Sequence, residues 1–91
     1  MQSRATKKFW KAYARLDTIT KKQAKSSYRL FKENPKHRSL NFKKIHNSLA
    51  IYSVRINLNH RALGILSNNE ITWFWIGAHS NYEKLISKLK S

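Results

Sequence analysis

Between Lys44 and Lys84 the chain carries only two basic side chains, Arg55 and Arg61, although Lys and Arg number 19 among its 91 residues. Both lie in or beside strand-like apolar sequence, and Gly77, His79 and Tyr82 follow where the last such stretch ends. Charges scattered for solubility would not leave such a gap. Two guanidinium groups, an imidazole and a phenol are the parts of a site for an anionic ligand, most simply a phosphodiester. Guanidinium suits phosphate because its planar fork donates two parallel hydrogen bonds. Imidazole exchanges protons near neutrality, and a glycine beside it permits an unusual turn or a ligand's close approach.

Each residue also has a plainer role. Arg55 can be a solvated strand residue, His79 a residue preceding a helix, and Tyr82 a core residue by its helical spacing. Lys43, Lys44 and Ser53 are candidates for contacting an RNA backbone. Alternation puts the two lysines on opposite faces, so one shares the face of Arg55 and its neighbour Ser53. Trp73, Phe74 and Trp75 can stack bases, but a strand this apolar is expected to be buried, so they are assigned to the core. His37, His46 and His60 look like loop residues and are assigned nothing. No set of His, Asp and Glu has metal-ligand spacing, and the chain has four acidic residues in all. A nuclease built on clustered carboxylates and metal ions is therefore not expected, and no cofactor is implied.

The elements that must position these groups follow from periodicity. Ala5, Phe9, Ala12, Tyr13 and Leu16 form one stripe, which predicts an amphipathic helix over residues 4–16. Thr20 to Gln23 reads as a capping box opening a second helix, with Ala24, Tyr28 and Phe31 as its apolar face and Asn34-Pro35 as its stop. So short a link predicts an antiparallel helical hairpin. A short strand follows around residues 40–44, then strands over 51–57, 60–67 and 70–78, joined at Leu58-Asn59 and Asn68-Asn69, where asparagine tolerates positive φ. Ser80 to Glu83 reads as a second capping box. It opens a closing helix with Tyr82, Leu85, Ile86 and Leu89 in line. The fold class expected is α+β: a helical hairpin packed on a four-stranded antiparallel sheet, with a short C-terminal helix, in a single domain over 1–91.

Composition bounds the partners. The net charge is +15, and fourteen of the basic residues fall within residues 1–46. With so few compensating acids, the surface is expected to face nucleic acid or an acidic protein. The absence of cysteine suits a reducing cytosol. The opening MQSRATKKFW has no apolar segment of the signal-peptide kind, and no apolar run approaches the ~20 residues of a membrane span. A cytoplasmic protein with no membrane partner is expected.

The element order, the segment SVRINLNHRALG, the ending GAH…Y and the stretch NPKHRSLNFKKI together resemble the RelE/ParE superfamily of bacterial toxins. The resemblance spans nearly the whole chain and rests on the order and spacing of short motifs. It implies a toxin of a type II toxin–antitoxin system that enters the ribosome and cuts mRNA. Arg61, in HRALG, would match the strand arginine that stabilises phosphate, Arg55 a basic position on the preceding strand, and His79 a position held by arginine or histidine. Tyr82 resembles the C-terminal tyrosine of some members. Ser53 stands where some members carry a lysine, so Lys43 or Lys44 would substitute. A co-expressed antitoxin is also implied, with an acidic segment covering Arg55 and Arg61. The superfamily includes ParE-like members that poison DNA gyrase without the catalytic set, which is the alternative; a non-catalytic RNA-binding module is a third.

Overall fold

The computed structural model describes residues 1–89. Its elements run β1 (Gln2–Ala5), α1 (Lys7–Ala14), α2 (Thr18–Glu33), β2 (Lys43–Lys44), β3 (Ile51–Asn57), β4 (His60–Ser67), β5 (Glu70–Ala78) and α3 (His79–Leu89). The strands form one sheet in the order β1-β5-β4-β3-β2. Strands β2 to β5 are antiparallel neighbours, as their alternation implies. The sheet nevertheless has five strands rather than four, because β1 pairs parallel with β5, from Gln2 opposite Glu70 to Ala5 opposite Trp73. Accordingly α1 starts at Lys7, not at residue 4. Thr6 sets the boundary: its hydroxyl accepts a hydrogen bond from the Phe9 N–H at 3.1 Å, as an N-cap should. Nothing in QSRA is strand-like by pattern. β1 is held from outside itself, by the Trp73 indole N–H donating to the Ser3 hydroxyl at 3.0 Å and the Thr6 N–H donating to the Trp73 carbonyl at 3.0 Å.

The cap of α2 is Asp17 rather than Thr20. Its carboxylate accepts from the Thr20 N–H at 2.7 Å, and Thr20 is buried in the first turn. The Thr20 backbone and side-chain hydrogen bonds hold the Asp17 carboxyl below its ordinary value of 3.8. The helix stops at Glu33, before Asn34-Pro35, as expected. The hairpin is splayed: α1 leans on β5 and α2 on β3 more than either leans on the other. Between them and the sheet lies an apolar groove of about 290 Å³, lined by Phe9, Tyr13, Tyr28 and Phe31 among others.

Beneath these helices sits the core: Ala24, Phe31, Leu40, Val54, Ala62, Ile71, Trp73 and Ile76. Phe31 meets Trp73 and Phe42 edge-on at 5.3 and 5.0 Å. Trp73 and Ile76 are an odd number of residues apart, so strict alternation would put them on opposite faces. A bulge reconciles them. Leu63 pairs with Trp75 and Gly64 with Trp73, which leaves Phe74 as the extra residue. Trp73 therefore points toward the helices and Trp75 to the other face. The register of β4 needs glycine there, since a Cβ on Gly64 would stand 2.7 Å from Ile71 Cγ1 and 2.8 Å from Trp73 Cε3.

Asn68 and Asn69 take φ of 51° and 62°, a two-residue hairpin of the expected kind. The Leu58-Asn59 turn is built differently. Asn59 does not adopt positive φ, and the Asn57 side-chain oxygen braces the turn by accepting from the Asn59 N–H at 2.8 Å. Helix α3 begins at His79, one residue ahead of the capping box expected at Ser80. Tyr82 is buried and Leu85 and Ile86 are half-buried. The side chain of Leu89 lies outside the described residues.

Candidate functional site

On the sheet face turned away from α1 and α2, Arg55 and Arg61 stand directly opposite each other on β3 and β4. Cβ atoms so paired are ~4.5–5.5 Å apart, and like charges in this position repel. No ion pair to either arginine is present among the described residues. Glu70 engages Arg4 at 3.6 Å and Glu83 engages His79.

The hairpin itself holds Arg61. Its Nη1 donates to the carbonyls of Asn57 at 2.7 Å and His60 at 2.9 Å, which leaves Nε and Nη2 to donate elsewhere. Burial lowers the Arg61 pKa, the neighbouring Arg55 charge lowers it further, and Tyr82 opposes both. The guanidinium stays charged at neutral pH, but it is a desolvated and repelled cation. Arg55 is the more unusual of the two: its Nε is buried with no hydrogen-bond partner among the described residues. Leaving such a donor unmet costs about 1–3 kcal/mol. An anionic oxygen placed between the arginines would relieve their repulsion.

Helix α3 delivers the remaining groups. The His79 backbone N–H donates to the Asn59 carbonyl at 2.7 Å, which ties the start of the helix to the same turn that positions Arg61. Tyr82 lies one turn further on and close enough to Arg61 to act on its charge. The Tyr82 ring stacks on the His79 ring with centroids 5.4 Å apart and planes inclined by 29°. The His79 side chain is 42% exposed, and its Nδ1 lies 3.7 Å from Glu83 Oε1. Glu83 thus faces His79 instead of closing a capping box. Arg55, Arg61, Tyr82 and His79 form one run of neighbouring groups, assembled from two strands and a helix.

Lys43 pairs with Ser53 and so lies on the Arg55 face, whereas Lys44 pairs with Tyr52 on the helix face. Both lysines are exposed, but only Lys43 borders the site. Ser53 is 2% exposed, which takes its hydroxyl out of reach of a ligand at the surface. Its expected contact with RNA does not fit this position.

Gly77 pairs with Arg61 across β4 and β5. Its φ is not positive, and what it provides is room. A Cβ there would fall 2.7 Å from Cζ2 and 3.2 Å from Cη2 of Trp75, so the indole lies along the strand over Gly77, beside Arg61. Sequence reasoning named Trp75 among residues able to stack bases but assigned it to the core with Trp73; the bulge at Phe74 is what separates the two onto opposite faces. Together these groups can bind a phosphodiester between two guanidiniums with an imidazole alongside.

The ParE-like toxin domain family matches residues 19–84 of the chain. No curated protein matches the sequence. Among solved structures, the chain is similar to the YoeB/ParE toxin from Agrobacterium tumefaciens, with a TM-score of 0.69 and 19% identity over 87% of this chain and 99% of that one. It is also similar to the RelB–RelE antitoxin–toxin complex from Methanococcus jannaschii, with a TM-score of 0.72 and 16% identity over 89% and 95% of the two chains. For YafQ from E. coli the corresponding values are 0.68 and 12% over 89% and 96%. At these identities the likeness is one of fold.

Proposed function

This chain belongs to the ParE-like toxin family of the RelE/ParE superfamily, and on that premise we propose that it is the toxin of a toxin–antitoxin pair, a metal-independent endoribonuclease that cuts mRNA on the ribosome. The observation that carries this reading is the opposed Arg55–Arg61 pair set beside the stacked Tyr82 and His79. A fold has no structural use for two like charges held face to face without a counter-ion. A phosphate does.

The RNA 2′-hydroxyl attacks the adjacent phosphorus, the new O2′–P bond forms, and the P–O5′ bond breaks. One proton leaves the 2′-oxygen and one arrives on the 5′-oxygen. Arg61 and Arg55 stabilise the charge that develops on the phosphoryl oxygens, and one preorganised donor of this kind is worth about 10²–10³ in rate. His79 serves one of the two proton transfers, a contribution of typically ~10²–10⁴. Tyr82 holds the imidazole by stacking, and its burial leaves it a positioning role rather than the contact with the nucleotide expected of it. Lys43 and the basic outer faces of α1 and α2 bind the RNA backbone, so binding weakens steeply with salt.

An acidic antitoxin segment would neutralise the same arginines. The M. jannaschii relative was solved as an antitoxin–toxin complex. One observation favours a second reading: the family that matches is named for ParE, and the ParE-like toxins of the superfamily inhibit gyrase. The stacked His79–Tyr82 pair beside the arginines argues for the nuclease.

Induction in bacteria, with growth and primer extension on mRNA as readouts, tests the choice between wild type, Arg61→Ala and His79→Ala. Ribosome-dependent cuts lost in both variants are expected. Growth arrest with intact mRNA and DNA damage would transfer the reading to gyrase, and no effect on growth would leave a plain RNA-binding module.

A further inference from the structure

We propose that Trp75 is a base-stacking platform that sets which nucleotide lies next to the cut, an inference that rests on the ribonuclease reading above. Trp75 belongs neither to the core cluster nor to the side chains packed against it. The bulge at Phe74 turns it to the face of Arg55 and Arg61, and there it is half-buried. Its edge rests on Gly77, whose missing Cβ is what allows the indole to lie down along the strand. Gly77 is the partner of Arg61, and neighbouring strands are ~4.8 Å apart. A flat aromatic surface therefore lies within a nucleotide's length of the guanidiniums proposed to hold the phosphate.

Leu63, the cross-strand partner of Trp75 on this face, is fully buried, whereas Trp75 itself keeps part of its surface exposed. Placing a π-face beside a phosphate clamp gives a nucleotide two anchors: its phosphate on Arg55 and Arg61, and a neighbouring base on Trp75. Lys43 borders the same face and continues the cationic track. Stacking tolerates every base but favours those with larger faces, so the preference should lean toward purines.

The test uses a short 2′-O-methyl oligoribonucleotide, which cannot be cut, and the same oligomer with a single abasic residue placed at each position in turn. Binding to the purified toxin is read by fluorescence anisotropy for wild type, Trp75→Leu and Trp75→Phe. In the wild type one abasic position is expected to weaken binding about tenfold, the scale of a lost base–aromatic stack. Trp75→Leu should bind the intact oligomer about tenfold more weakly and no longer distinguish it from the abasic one. Trp75→Phe should keep most of the discrimination. The inference is overturned if the Leu variant retains the abasic penalty, or if no abasic position matters to the wild type. Because nothing is cleaved in this assay, failure of the ribonuclease reading shows separately, as base discrimination by a wild type that leaves mRNA intact in cells.

Discussion

The two faces of the central sheet are made from the same strands and obey opposite rules. On the helix face, Val54, Ala62, Trp73 and Ile76 meet Ala24 and Phe31 in a cluster with every member under a tenth exposed. One residue along each strand, the other face sets Arg55 against Arg61 and lays an indole over a glycine. The first face gains from each contact it makes. The second also buries Ile51 and Leu63, but at Arg55 and Arg61 it holds repulsion and an unmet donor in place. Sites commonly give up stability for function in this way. The difference between the faces thus separates residues that hold the fold from residues that use it.

The largest effects should divide cleanly along this line. Phe31→Ala removes a ring that touches both Trp73 and Phe42, and it should destabilise the protein by about 3–5 kcal/mol, read from denaturant unfolding. Its toxicity should fall only because less folded protein remains. Arg61→Ala should do the reverse: mRNA cleavage in a ribosome assay falls about 10²–10³-fold, while the thermal midpoint holds or rises as Arg55 loses its repulsive neighbour. An Arg61 variant that unfolds as readily as the Phe31 variant would erase the distinction between the faces.

A smaller change should blur it. Gly77→Ala brings a methyl group to 2.7 Å from Trp75 Cζ2, and an indole cannot yield as a flexible chain end can. The ring must lift away from Arg61 at an overpacking cost of about 1–3 kcal/mol. Cleavage and stability should therefore both fall, and together. Activity lost at full stability would mean that Gly77 serves the ligand directly rather than through Trp75.

How much of this was legible differs between the faces for a physical reason. The strands over 51–57, 60–67 and 70–78 announce themselves by alternation, as does the stop at Asn34-Pro35. The meeting of Arg55 with Arg61 does not: a two-residue turn carried on in register would set Arg55 against Ala62, and only a shift of register between Arg55 and Asn57 brings Arg61 opposite it. β1 was invisible because its strand character comes from β5, through Ser3 and Trp73, and not from its own residues. Thr20 looked like a cap because Asp17 sits one turn earlier and competes for the same role. Trp75 was hidden by a bulge, which shifts parity without leaving a mark in composition. Ser53 looked available because nothing in the sequence says that the second face is also partly covered. Local patterns survive in sequence; whatever depends on a partner strand does not.

The smallest effect belongs to the helix face and concerns Asp17. Its carboxyl is held below the ordinary value by hydrogen bonds from Thr20. A depressed folded-state pKa contributes stability that is fully present above the unfolded value, near 4, and is lost as pH falls through the folded one. The wild type should therefore lose this part of its stability on acidification. Asp17→Asn keeps an oxygen for the Thr20 N–H, since asparagine caps about as well as aspartate, but it has no charge to lose. At pH 7 its thermal midpoint should match that of the wild type to within a few degrees, and between pH 4 and pH 2 it should fall less. Asp17→Ala should be lower than both at neutral pH. Cleavage at pH 7 should stay the same in all three wherever the protein is folded, because Asp17 caps α2 and Arg61 works on the opposite side of the sheet. A change in cleavage by the Asn variant at neutral pH would show that the two faces are coupled.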